Sequence, residues 1–209
     1  MLSFNAYSDM RLYEGKEISD EEYALLSQYA KEDEYYGYAL SLLSKEAYTS
    51  YGIKQKLLKK GAEKDVALLI ASSIVREGLI DDAEYAKTYA HDVADFRLYG
   101  KRKTMQKLKE KGISAEILKD IEFPEEEEVD RAIRYCAILN KKLSKYPSAK
   151  KEEKAYAMLL EKGFETDVAR KAVEEALERT PEAMEQESLS KQFYIAKHKY
   201  QDVTPLGMR

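Results

Sequence analysis

The chain has 209 residues, of which 35% are charged and 44% hydrophobic, with nine Gly, a single Cys, no Trp and a formal net charge of −4. No apolar run approaches the roughly 18 residues a transmembrane helix needs. The opening MLSFNAYSDMR has no basic stretch leading into an apolar one, and Cys136 alone closes no internal disulfide, so a reducing cytoplasm is the expected compartment. Scarce glycine and abundant helix formers predict an all-helical protein. Charge is unevenly spread in chain order. Residues 1–37 carry nine acids against three basic residues, residues 38–121 carry sixteen basic residues against twelve acids, and EFPEEEEVD (122–130) adds six acids and no base. Contact with a polyanion, if any, is therefore expected to be local.

After the acidic start, a first helix is expected at Tyr38–Ala47, followed by KLLKKG (56–61). The same ending recurs as KLKEKG (107–112) and MLLEKG (158–163), so that Gly61, Gly112 and Gly163 stand 51 residues apart. Around each glycine the columns match: Leu57, Leu108 or Leu159 four before; Lys60, Lys111 or Lys162 one before; Ala62, Ile113 or Phe164 one after; Asp65, Glu116 or Asp167 four after; Val66, Ile117 or Val168 five after. Glycine takes the left-handed conformation that ends a helix, lysine sits at the negative end of the helix dipole, and the acid sits near the positive start of the next helix. Val66, Leu69, Ile70 and Ile74 then predict an apolar stripe on the following helix, and Val168, Ala172, Ala176 and Leu177 predict another. The second repeat opens with a helix over Ala83–Phe96, whose EYAKTYA echoes EYYGYAL at 34–40, and the third begins near Val129 and is drawn out around Pro147. Seventeen tyrosines, Tyr35, Tyr38, Tyr85 and Tyr89 among them, sit mostly at helical spacing and read as packing.

The predicted fold is all-α: three tandem three-helix repeats of about 50 residues in an elongated, curved array. The segments are an acidic N-terminal segment (1–33), repeat 1 (34–80), repeat 2 (81–123), an acidic hinge (124–130), repeat 3 (131–180), and a C-terminal helix and tail (181–209). Pro181 should stop the third repeat. AMEQESLSKQFYIAKHKY (183–200) can form one more helix with Leu189, Phe193 and Ala196 on a face and Ile195 off it; it packs on repeat 3 or stays mobile until a partner binds.

Basic stretches are the candidate interaction residues. Residues 97–111 hold Arg97, Lys101, Arg102, Lys103, Lys107, Lys109 and Lys111 against the single acid Glu110. Lys103, Lys107 and Lys111 are four apart on one helix face, with Met105 and Leu108 roughly opposite. Repeat 1 answers with Lys54, Lys56, Lys59 and Lys60, which fit a solvated face or a binding face equally. Such a stripe can follow a phosphate backbone or an acidic protein groove. Phe96 reads as packing, whereas Tyr51 and Tyr99 fit packing or base stacking. Catalysis finds no support: His91 and His198 are far apart in sequence, Cys136 follows the apolar register of its helix, and Asp81–Asp82 read as a helix cap. The EEEE run lacks the pattern of a calcium loop and reads as a solvated hinge, and no glycine-rich phosphate loop occurs. No metal, cofactor or catalytic residue is expected.

ALSLLSKEAYTSYGIKQKLLKKG (39–61), EGLIDDAEYAKTYAHDVADFRLYGKRKTMQKLKEKGIS (77–114) and AMLLEKGFETDVARKAVEEAL (157–177) together resemble the RecX family of bacterial RecA regulatory proteins, over roughly residues 34–178. RLYEGKEIS (11–19) resembles the closing turn of an N-terminal region found in longer relatives. The chain departs from that pattern at Gly52, where relatives often carry the Glu of a capping box begun here by Thr49, and at Glu46, where they often carry Arg. The resemblance implies a cytoplasmic, monomeric regulator rather than an enzyme. It would bind RecA–DNA filaments and inhibit RecA recombinase, ATPase and co-protease activities, modulating recombinational repair and the SOS response. DNA contact would be weaker or indirect. Two alternatives are a helical-repeat DNA-binding module without recombinase contact and a scaffold for another acidic protein.

Overall fold

The computed structural model describes residues 10–200, and among these the chain is helical throughout, with no strand. Residues 1–9 of the expected N-terminal segment and 201–209 of the expected tail lie outside the described residues. The helices are α1 (Asp20–Leu43), α2 (Ser50–Lys60), α3 (Lys64–Arg76), α4 (Asp82–Thr88), a π-helical turn (Tyr89–Val93), α5 (Ala94–Arg97), α6 (Lys101–Glu110), α7 (Ala115–Lys119), α8 (Glu125–Lys142), α9 (Ser148–Glu161), α10 (Thr166–Ala176) and α11 (Glu182–Tyr200). They form two compact units. The first takes the residues up to Thr88 together with Lys107–Ile121, and the second takes Tyr89–Gln106 together with the residues from Glu122 on.

The three glycine turns are built alike. Gly61, Gly112 and Gly163 have φ of 102°, 79° and 90°. In each, the residue after glycine donates its N–H to the carbonyl of the leucine five before it: Ala62 to Leu57 at 3.0 Å, Ile113 to Leu108 at 3.1 Å, Phe164 to Leu159 at 3.2 Å. These bonds satisfy carbonyls a helix end would otherwise leave open and fold the apolar residue back onto the helix. Leu57, Leu108 and Leu159 are fully buried, and Ala62, Ile113 and Phe164 are buried beside them.

Two of the turns are also sockets. In the first unit the start of α2 plugs into the turn after α6: the Thr49 hydroxyl donates to the Lys111 carbonyl at 2.7 Å while accepting the Gly52 N–H at 3.0 Å. The Tyr51 side chain lies where a Cβ on Gly112 would be, only 2.3 Å from it. In the second unit the start of α6 plugs into the turn after α9, with the Gly100 N–H donating to the Lys162 carbonyl and the Arg102 N–H to the Gly163 carbonyl, both at 3.0 Å. A Cβ on Gly100 would fall 2.3 Å from the Phe164 nitrogen, so glycine is required there by space. An acid from further along the chain then caps each plugged helix. Asp82 accepts the Ser50 N–H at 2.8 Å and the Ser50 hydroxyl, and Glu128 accepts the Lys101 N–H at 2.7 Å.

Several expectations are corrected. The first helix starts at Asp20 rather than Tyr38, because Ser19 and Glu22 form a capping box (2.9 and 3.2 Å) and three acids fill the first turn. Residues 125–128 are the first turn of α8 instead of a solvated hinge, and Glu128 is buried because it caps α6. On α3, Leu69 is 55% exposed and Ala67 takes its place beside Ile70 and Ile74 in the core. That core also holds Ala39, Ile53, Leu57 and Ile80, with Tyr35 and Tyr38 against it. The second unit centres on Ala132, Cys136, Leu159, Phe164, Val168 and Ala172. Among the described residues no helix is long and apolar enough to cross a membrane.

Candidate basic interaction surface

The first unit gathers basic side chains from two consecutive repeats. Because α2 is plugged into the turn after α6, Lys56 and Lys59 of α2 and Lys111 of that turn line one cleft of about 540 Å³, together with Tyr48, Tyr51 and Tyr85. The lysines lie over tyrosine rings: Lys56 is 5.7 Å from the Tyr48 centroid and Lys111 is 5.3 Å from that of Tyr85. Such a contact holds the Lys56 ammonium in place without neutralising it. The two carboxylates at the cleft are already engaged, since Glu46 accepts the Tyr48 hydroxyl and Glu110 pairs with Lys107 at 2.6 Å. Among the described residues, Lys56 and Lys59 pair with no carboxylate. Lys54 lines the neighbouring groove, Lys109 is exposed, and Lys60 turns away to Glu34 at 2.9 Å and to the Tyr38 ring.

The second unit holds the other half of the predicted basic stretch. Lys101 and Arg102 are exposed, but Arg102 donates to the Leu160 carbonyl at 2.9 Å and Lys101 lies 6.0 Å from the Phe123 centroid. Lys103 is half-buried because its backbone lies against Gly163. Lys103, Lys107 and Lys111 thus lie on a half-buried flank of α6 and its turn, and the buried positions are Thr104 and Leu108, with Met105 only half-buried. Lys162, absent from the predicted site, joins this group: its ammonium donates to the Arg97 carbonyl at 3.0 Å and lies about equally far from the Tyr99 and Tyr135 rings. Burial first, then the Arg97 charge, lowers its pKa, with Glu161 opposing and Lys103 and Lys142 acting in the same direction as Arg97. The repeat register could have found Lys162, since it is the third copy of Lys60 and Lys111. Phe96, expected to pack, is 83% exposed beside Arg97, because α5 ends one residue later and Leu98 turns the chain with a φ of 51°. No sequence signal announces that turn.

The other candidates hold no chemistry of their own. Cys136 is fully buried, and burial pushes its thiol up to about 11. His91 is exposed and bonded to Asp92 at 2.8 Å. Asp81 accepts the Ala83 and Glu84 N–H groups at 2.9 and 3.0 Å, a helix cap. Among the described residues no three His, Cys, Asp or Glu side chains stand together as a metal site would need.

Comparison with known proteins follows the same lines. Residues 81–120 match the family model described as RecX, second three-helix domain. The regulatory protein RecX of Finegoldia magna is 29% identical over 177 residues, covering 81% of this chain and 85% of that protein. The regulatory protein RecX of Bacillus cytotoxicus is 27% identical over 180 residues, covering 85% of this chain and 67% of that protein. In fold, the chain is similar to a crystal structure of regulatory protein RecX, with a TM-score of 0.75 at 24% identity over 83% of this chain and 87% of the other. It is also similar to the RecX structure from Lactobacillus salivarius, with a TM-score of 0.61 at 24% identity over 69% of this chain and 96% of the other. The glycine-turn repeats, their basic helices and these likenesses point the same way: residues 81–120 match the second three-helix domain of RecX, and most of the chain is similar to regulatory proteins RecX.

Proposed function

We propose that this chain regulates the RecA recombinase by binding RecA–DNA filaments, thereby inhibiting recombinase, ATPase and co-protease activities. It acts as a cytoplasmic monomer, by binding rather than by catalysis. The observation that carries this reading is the cleft in which Lys56 and Lys59 of one repeat meet Lys111 of the next. A site assembled from two repeats presents a fixed pattern of charge, whereas lysines scattered on a solvated face do not. A ligand that binds one filament state better than another shifts the filament toward that state without any cofactor. In the second unit, Arg97, Lys101, Arg102 and Lys103 beside exposed Phe96 supply a further basic surface for the same filament.

The test is ATP hydrolysis by the cognate RecA on single-stranded DNA, with the wild-type chain and with a Lys56→Glu/Lys59→Glu variant. Suppression by the wild type that the variant loses supports the reading. The alternative, a DNA-binding module without recombinase contact, predicts binding to bare DNA as strong as to the filament. For duplex DNA its log affinity would fall with log salt by about 0.9 per phosphate neutralised.

A further inference from the structure

We propose that α2 carries a composite docking site for a polypeptide segment in which carboxylates flank an apolar side chain. This rests on the reading of the chain as a regulator of a protein filament, and it names the kind of segment the regulator grips. The lysine-lined cleft is not isolated. On the other side of Tyr51 lies a second groove of about 440 Å³, lined by Tyr51, Lys54, Leu68, Val75 and the Gly112 turn. Tyr51 borders both spaces and is fixed as a ridge between them by its contact with Gly112. The groove floor is aliphatic, and its walls leave Leu68 51% and Val75 41% exposed. Among the described residues, Lys54 is the only charged side chain lining it.

Charge and shape together select the occupant. The cleft offers ammonium groups to carboxylates, while the groove beside it offers an aliphatic surface worth about tenfold in affinity for one buried leucine-sized side chain. A nucleic acid fits less well. Its evenly spaced phosphates would run past Glu46 and Glu110 at the cleft, the Tyr48 and Tyr85 rings there already lie under Lys56 and Lys111, and the groove of Leu68, Ala71 and Val75 offers its bases no aromatic face beyond Tyr51. A peptide can place its acids away from those two carboxylates and seat an apolar residue against Leu68 and Val75.

The probe is a short fluorescein-labelled peptide alternating aspartate with leucine, compared by anisotropy with an equally charged aspartate–serine peptide and with oligothymidylate. The expected result is about tenfold tighter binding of the leucine peptide than of the serine peptide. That gain should vanish in Leu68→Ser, and both peptides should weaken in Lys56→Glu/Lys59→Glu. Val75→Thr, nearly isosteric, serves as a second groove variant should Leu68→Ser lose its helical circular dichroism. Equal binding of the two peptides overturns the proposal. So does tighter binding of oligothymidylate, or a self-association of the chain that Leu68→Ser dissolves. RecA ATP hydrolysis measured alongside separates the two readings. If the wild type and Leu68→Ser suppress it equally, the docking site is wrong and the regulator reading stands. If the wild type has no effect while the leucine peptide binds as expected, the regulator reading fails and the docking site stands.

Discussion

Replacing Gly112 by alanine should destabilise the first unit far more than the same change at Gly61, although both glycines end a helix in the same way. Both have positive φ, 79° and 102°, where an L-residue costs about 1–2 kcal/mol. At Gly61 the new methyl meets only the Tyr35 hydroxyl, at 3.9 Å, so the backbone cost is the whole cost. At Gly112 it would lie 2.3 Å from the Tyr51 Cβ and Cγ, so Tyr51 and the start of α2 must withdraw. That withdrawal gives up the bond from Thr49 to the Lys111 carbonyl, at about 1 kcal/mol, and part of the Tyr51 burial, at about another. The predicted losses are about 1–2 kcal/mol for Gly61→Ala and about 3–4 kcal/mol for Gly112→Ala. Urea unfolding followed by circular dichroism reads both, with the slope m checked for constancy. A Tyr51→Gly background, which removes the Cβ as well as the ring, should shrink the Gly112→Ala loss toward the Gly61 value, the non-additivity expected of residues in contact. Equal losses at the two glycines would refute the socket.

Three further outcomes follow from other parts of the molecule. Glu128→Ala removes the cap on α6 and should cost about 1–2 kcal/mol in thermal unfolding, while Glu128→Gln, which keeps an acceptor, should cost less. His91 holds its proton above the ordinary 6.5, first through its bond to Asp92 and then through that charge, with Glu127 and Asp95 adding to it. A folded pKa above the unfolded one makes its contribution complete below about 6.5 and lost as pH rises through the folded value. The His91 ring resonance should therefore titrate above 6.5 and move back toward it in Asp92→Asn; an unchanged midpoint would remove Asp92 as the cause. The Cys136 thiol, fully buried and pushed up to about 11, should resist a thiol reagent at neutral pH until urea unfolds the chain. Prompt reaction of the native protein would contradict its burial.

The glycine turns were legible in the sequence because their physics is local. Glycine, the preceding lysine and the buried leucine lie within one turn of one another, so the pattern at 57–62 reads the same at 108–113 and 159–164. The all-helical, repeated architecture followed from it. What escaped notice acts at a distance. Asp82 caps a helix 32 residues upstream and Glu128 one 27 residues upstream, so each acid reads in sequence only as part of its own helix start. The EEEE run therefore looked solvated although its last member is buried. The predicted lysine face of α6 failed to anticipate the socket, because helical periodicity does not reveal that the Lys103 backbone is lodged against Gly163. The converse holds for Leu69 and Phe96. An apolar residue at the right spacing was taken as buried, yet packing had already filled the core with Ala67 and with the Leu98 turn left Phe96 outside. Lys162 was the one missed basic residue that the repeat register already marked.

The most direct measurement for the proposed regulation is the rate of RecA-catalysed ATP hydrolysis on single-stranded DNA at moderate salt, with this chain added below the RecA concentration. The account predicts suppression greater than competition for DNA explains, lost when Lys56 and Lys59 are reversed in charge. No suppression, alongside salt-sensitive binding of the chain to bare DNA, would contradict it.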